Sequence, residues 1–219
     1  MNYFNVLEDK IRFLQRFYAL TTAPFIEIKY KIEANEEPYV FRGEPDDCDE
    51  PPYLTEWQDA DEGYKLQQQL CLSLLQRSFR EFLDAVVRKC GGKPKKSGDG
   101  WFADYLLWLT QTFGFDWKTA PVSLDRIEEL TLARNCIQHG GEGHRGASDV
   151  LDSQSLLKRQ SLAYHVRFPD AFFASDFEKS VWKEQNYPQP VSIELTPTKL
   201  EVATEDILNF CKFIYDVVG

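Results

Sequence analysis

The stretch Leu130-Thr131-Leu132-Ala133-Arg134-Asn135-Cys136-Ile137-Gln138-His139-Gly140-Gly141 places an arginine, its neighbouring asparagine and a histidine at the end of an otherwise apolar helix. The chain holds only 3 histidines in 219 residues, so this one carries weight. Ser123 offers an N-cap just after Pro121, although Arg126 rather than Glu stands at the third helical position and leaves the capping box incomplete. Gly140 and Gly141 supply the stop. At about 100° per residue, Ile127, Leu130, Ala133 and Ile137 share one arc, and Arg134 falls inside it. A guanidinium in a buried arc must snorkel, pair with an acid or point into a cleft. Asn135 and His139, four apart, stack on an adjacent face. In the last turn the helix dipole favours an imidazolium, a setting suited to acid–base work.

An arginine followed by a polar residue, with a histidine five positions after it, resembles the signature of the HEPN superfamily. That signature is Arg, four to six intervening residues, then His, usually with Asn, Asp or His directly after the Arg. Here it reads Arg134-Asn135-Cys136-Ile137-Gln138-His139. The resemblance covers the motif helix closely; the rest of the chain matches it as a set of long amphipathic helices.

This resemblance implies a metal-independent endoribonuclease, a toxin or defence effector acting on tRNA or other cellular RNA. Arg134 would bind the scissile phosphate and stabilise its developing charge. His139 would serve the 2′-hydroxyl or the leaving oxygen as general base or acid. Asn135 would orient His139 or hydrogen-bond the substrate. Catalytic clefts of HEPN nucleases usually form between two protomers, so a homodimer is expected, with RNA as substrate and a protein antitoxin or regulatory partner. No cofactor is required. Some HEPN proteins share the fold and serve only as binding or assembly modules, so the second expectation is a non-catalytic module that dimerises and binds a protein. A third is a plain helical scaffold, in which Arg134 pairs with a core acid and His139 merely ends its helix.

Composition bears on these readings. The chain is long enough for one domain with a full core, and its 16 Phe, 10 Tyr and 5 Trp fill it generously. A single domain over residues 1–219 is expected. The formal net charge of −10 weighs against non-specific nucleic-acid binding, although an enzyme with a local basic cleft remains compatible with it. It also supports the protein-binding alternative. No apolar run is long enough to span a bilayer, and the N-terminus lacks the basic start and uninterrupted apolar stretch of a secretory signal. The five cysteines are scattered, odd in number and without a CxxC pair, which suits reduced thiols in a cytoplasm and argues against zinc. The spacing of His139 and His144 is no familiar zinc pattern either.

Charge is unevenly spread. Glu44, Asp46, Asp47, Asp49, Glu50, Glu56, Asp59, Asp61 and Glu62 make one region acidic, while Arg88, Lys89, Lys93, Lys95 and Lys96 make another basic. Lys93, Lys95 and Lys96 are candidate contacts to an RNA backbone, although such a run is more often a soluble loop. His144 and Arg145 extend the candidate site if the glycine-rich segment folds back over the helix end; a solvated loop is the plainer reading. His165 and Cys136 read as structural.

The rest of the chain reads as helices with one exception. Residues 2–20 form a helix that Thr21-Thr22-Ala23-Pro24 breaks or kinks. Residues 25–33 fit both a strand and a helix, and helix is preferred because few strand partners exist. Residues 35–54 form a long acidic, proline-rich connection. Thr55-Glu56-Trp57-Gln58 fits a capping box for a helix running to about Cys90, with Leu66, Leu70, Leu74, Leu75, Phe79, Phe82, Leu83, Val86 and Val87 on its buried side. Helices follow over 101–113, ended by Gly114, and over 123–139; a short one is expected over 156–166. Residues 191–195 and 199–203 alternate around Thr196-Pro197-Thr198 and suggest a small β-hairpin before a last helix capped by Thr204. The expected fold is therefore all-α in the main: a HEPN-like helical bundle with a long acidic loop and that one hairpin.

Overall fold

A computed structural model describes residues 2–43, 50–96, 100–139 and 195–219 of the chain. Among them are five α-helices and one short 3₁₀ turn, with no strand, so the all-α expectation holds. The helices are α1 (Tyr3–Glu33), α2 (Leu54–Lys89), α3 (Trp101–Phe113), α4 (Leu124–His139) and α5 (Pro197–Val218). One apolar core draws side chains from all five. None of them is long and apolar enough to cross a membrane.

Helix α1 begins at Asn2, whose side chain accepts from the backbone N–H of Phe4 at 3.0 Å and of Asn5 at 3.3 Å. It then runs through Pro24 as one continuous helix, so of the expected break or kink there is no break, and residues 25–33 are helical. Pro24 brings no N–H to the carbonyl of Leu20, but that position is exposed and water can reach it. The segment beyond is held by its partner helix. Lys29 pairs with Asp61, and the indole N–H of Trp57 donates to Glu33 at 2.8 Å. The ring of Phe25 lies against Gly63, where a Cβ would come within 2.3 Å of it. These contacts, with Lys10 pairing to Glu81 at the other end, set α1 and α2 antiparallel along their whole length.

The connection between them folds on itself where it is described. Asn35 Oδ1 accepts from the Phe41 N–H at 2.7 Å, and the rings of Tyr39 and Tyr53 meet edge to face at 5.3 Å. Residues 44–49 of the acidic cluster lie outside the described residues.

Two expectations for α2 need correction. Its N-cap is Tyr53, at φ 60°, and Thr55 already lies inside the helix. The turn at Pro51-Pro52 decides this, because the Pro51 carbonyl accepts from the Leu54 N–H at 3.2 Å. The expected face is buried at Leu75, Phe79, Phe82, Leu83, Val86 and Val87 but not at its Leu66–Leu70 edge. Cys71, Leu72, Leu75, Gln76, Phe79, Phe82, Leu83, Val86 and Val87 are buried, whereas Leu66 and Leu70 are exposed at 63% and 44%. The leucine-rich arc is wide, and the neighbouring helices cover only one side of it.

Helix α3 ends as expected at Gly114, whose φ of 72° favours glycine and whose N–H returns to the Thr110 carbonyl at 2.9 Å. Helix α4 starts one residue after Ser123 and packs on α2 and α5. Rings of Phe79, Phe102 and Phe210 join α2, α3 and α5 at centroid separations of 5.8–5.9 Å.

The expected second hairpin arm is helix. Thr196 is the N-cap of α5, with its Oγ accepting from the Lys199 N–H at 3.2 Å, and Pro197 takes the first turn. Leu200, Ala203, Ile207, Phe210, Cys211 and Ile214 are all buried at helical spacing. Thr204 is therefore not a cap; it is buried mid-helix, and its hydroxyl accepts from Gln15 at 2.9 Å. The first arm falls largely on residues 191–194, outside the described residues, as does the short helix expected over 156–166.

Candidate functional site

Helix α4 carries the motif and is held on several sides. Ile127, Leu130 and Ala133 are almost fully buried, and Ile137 packs against the same core. Glu128, Glu129 and Thr131 are buried as well, so the helix is enclosed beyond its apolar arc. At its start, Arg126 pairs with Asp206 of α5 at 2.8 Å. Burial pushes the Asp206 carboxyl above its ordinary range despite that cation.

Arg134 is half-buried within this arc. Loss of water, followed by the positive charge of Arg80, holds its guanidinium below the ordinary arginine value. Arg80 is exposed on α2, and its guanidinium sits 5.3 Å from the centre of the Trp101 ring. One turn further along α2, Asp84 accepts a hydrogen bond from the Tyr105 hydroxyl. Burial, and then this bond to Asp84, pushes the Tyr105 phenol up to about 12, so it stays a proton donor. Arg80, Asp84, Trp101 and Tyr105 thus form a polar and aromatic group contributed by α2 and α3, and the charge of Arg80 reaches Arg134 on α4. Sequence reasoning missed all four. The one available signal was the i, i+4 spacing within each pair, Arg80 with Asp84 and Trp101 with Tyr105.

Asn135 and His139 lie on α4 by backbone, and their side chains fall outside the described residues, as do those of Leu132, Cys136 and Gln138. Helix geometry alone separates Arg134 from His139 by about 140° and roughly 7.5 Å of rise. Asn135 and His139 are one turn apart. His144 and Arg145 also lie outside the described residues. Lys93, Lys95 and Lys96 are exposed in the segment that leaves α2. Arg80 lies nine residues before the end of that helix, about 13 Å back along its axis.

Two surface hollows lie elsewhere. One of about 500 Å³ runs between α1 and α2, past Tyr3, Lys10, Glu81 and Arg88. Another of about 750 Å³ sits at the first turn of α4, beside Trp117, Pro121 and Ser123, at the end of the helix opposite to His139. Among the described residues, no group of three or more His, Cys, Asp or Glu is placed to hold a metal ion. Cys71, Cys90 and Cys211 are free; burial pushes the Cys71 thiol up to about 11 and that of Cys211 well above its ordinary value, which suits packing rather than nucleophilic chemistry. Comparison with protein families, with curated proteins and with solved structures finds no match to this chain.

Proposed function

We propose that the protein is a metal-independent endoribonuclease of HEPN type, with Arg134 as phosphate ligand and His139 as general acid–base. The observation that carries this reading is Arg134, half-buried inside the packed apolar arc of α4, where it loses part of its hydration. A charge in that setting is poorly hydrated and gains much from a phosphodiester. The 2′-oxygen of RNA attacks the adjacent phosphorus, and the 5′-oxygen leaves. His139 moves the proton at one of these oxygens, while Asn135, one turn away, orients the imidazole or the substrate. Two protomers would share the cleft in a homodimer, and the protein would act in a cytoplasm as a toxin or defence effector held by a protein antitoxin or regulatory partner.

Incubation of the purified protein with total RNA, beside R134A and H139A, tests this. Cleavage that is lost in both variants and insensitive to chelators is expected. Equal cleavage by all three proteins would mark a contaminant and remove the proposal. Growth inhibition on expression, relieved by H139A, is the expected mark of a toxin.

A second reading is a non-catalytic module that dimerises or binds another protein. Exposed Phe13, Leu20, Leu66 and Leu70 favour it. The register that pairs Lys10 with Glu81 and Lys29 with Asp61 brings Leu20 and Leu70 to one level of the α1–α2 pair. Under this reading RNA stays intact and self-association falls when Leu20 and Leu70 are replaced by Glu.

A further inference from the structure

We propose that the protein self-associates as a two-fold dimer through the outer face of the α1–α2 pair, with each of these helices lying antiparallel to its own copy. The proposal rests on the self-association named in the second reading above and gives it a geometry; it does not depend on RNA cleavage.

Helix periodicity defines the face. The hollow between α1 and α2 passes Lys10 and Glu81 and so marks one side of the pair. Steps of three, four or seven residues keep to one side of a helix. From Lys10 they lead to Phe13, Phe17 and Leu20, and from Glu81 to Leu74, Leu70 and Leu66. The Lys10–Glu81 and Lys29–Asp61 pairs set Phe17 level with Leu74 and Leu20 level with Leu70. The rings of Phe13 and Phe17 stack at 5.9 Å. Phe13, Leu20, Leu66 and Leu70 are exposed, while Phe17 and Leu74 join them to the core. The outcome is a continuous apolar strip rather than scattered single residues. Helix α4 packs on α2 and α5 and leaves this strip uncovered.

Charge selects the occupant. Arg12, Arg16 and Arg77, all exposed, flank one end of the strip. Arg12 has Asp9 at 3.6 Å, and Arg77 shares Glu81 with Lys10, so cations remain in excess there. Glu27, Asp59 and Glu62, also exposed, flank the other end. Lys31 pairs with Glu27, so anions remain in excess. A surface with an apolar middle, a basic end and an acidic end complements itself when turned end for end.

A two-fold axis across the face, at the level of Leu20 and Leu70, makes that turn. Leu20 and Leu70 then each meet their own copies, and Leu66 meets Leu74 of the second copy. Arg77 stands about 10.5 Å to one side of Leu70 and Glu62 about 12 Å to the other, so the two reach one level across the interface. Arg12 and Arg16 straddle the level of the second copy's Glu27 in the same way. A two-fold axis along the helices would match the apolar rows equally well. It would, however, set Arg12 and Arg16 beside Arg77, and Glu27 beside Asp59 and Glu62, and like charges decide against it.

The test is sedimentation velocity on the full-length chain at micromolar concentration, with circular dichroism melts to check that each variant folds. A dimer is expected, and L70E should dissolve it. R77E and D59K/E62K, all changes at exposed positions, should each weaken it about ten-fold or more, because each homodimer then sets like charges together twice. An equimolar mixture of the two should restore association to within about three-fold of the unaltered chain, since both contacts then join opposite charges. The mixture needs no apolar substitution and is decisive by itself. A monomer throughout, or a dimer that a folded L70E leaves intact, would overturn the proposal. A dimer lost in L70E but indifferent to the charge reversals keeps the second reading and removes this geometry, as does a mixture no tighter than its components.

Discussion

The hydroxyl of Tyr18 donates a hydrogen bond to the backbone carbonyl of Leu195, a residue 177 positions further along the chain. The N–H of the same Leu195 donates to Gln68 Oε1 at 3.2 Å. Both backbone polar groups of one buried residue are thus satisfied by side chains, one from α1 and one from α2. This is how a non-helical residue at the entrance to α5 can be fully buried without an orphaned backbone group. Burial, and then the neighbouring Tyr64 hydroxyl, pushes the Tyr18 phenol far above its ordinary value, so it remains a donor throughout the useful pH range.

The first prediction follows from that clamp. Tyr18→Phe should cost about 1–2 kcal/mol in urea unfolding, since the Leu195 carbonyl loses its donor in a dry place. Gln68→Leu should cost about as much through the stranded N–H. An unchanged midpoint for both variants would mean that Leu195 is not held as described.

Thr196 tests the correction from hairpin to helix. As the N-cap of α5 its loss in Thr196→Ala should cost about 1 kcal/mol, and Thr196→Asp should restore most of it. Thr204→Asp, by contrast, should destabilise strongly, because Thr204 is buried and bonded to Gln15. Had Thr204 been the cap, the order of these effects would reverse, and thermal melts of the three variants distinguish the cases.

The Arg126–Asp206 pair gives a prediction with a definite pH sign. Asp206 is pushed upward by burial even with Arg126 beside it. A raised folded value means that the contribution of this group to stability is full below the unfolded carboxylate value and is lost as pH rises through the folded one. Arg126→Ala removes the opposing cation and raises the folded value further. The variant should therefore lose about 1–2 kcal/mol near neutral pH. That is less than for a fully enclosed pair, because the arginine side chain is 45% exposed. The loss should shrink as the solution is acidified and Asp206 takes up its proton. A loss that stays constant from neutral to acid pH would contradict this account.

Pro24 stands inside α1, where it removes one helical hydrogen bond. Pro24→Ala should restore the bond to the Leu20 carbonyl and raise the unfolding midpoint, by up to about 3 kcal/mol in free energy. A destabilised variant would show that the proline shapes the path by which residues 25–33 reach α2.

Several elements were legible before any coordinates. The 3.6-residue spacing, with glycine or an uncharged polar residue at the ends, located α3 and α4; residues 25–33 fitted both periods, and the shortage of strand partners favoured helix. The start of α5 was misread because residues 199–203 satisfy both periods: Leu200 and Ala203 serve a helix as well as Lys199, Glu201 and Ala203 serve the outer edge of a strand. The cap and proline at Thr196-Pro197 hold the deciding information, and they were taken for a turn. On α2 the leucines outnumber the positions that can be buried, so pattern alone could not choose between the Leu66–Leu70 side and the Leu72–Gln76 side.

For the candidate site the division is sharper. Arg134 could be singled out from the chain because a charged residue inside an apolar arc is a local contradiction, visible within one helix. Arg80, Asp84, Trp101 and Tyr105 could not, because each is ordinary in its own segment and gains meaning only from its neighbours across α2, α3 and α4. Local periodicity and capping chemistry act over a few residues, and so the chain by itself determined which segments are helices and where most of them stop. Which faces are buried, which carbonyl Tyr18 reaches and which aromatic ring Arg80 lies over depend on contacts between residues far apart in the chain, and those only the packed tertiary structure decided.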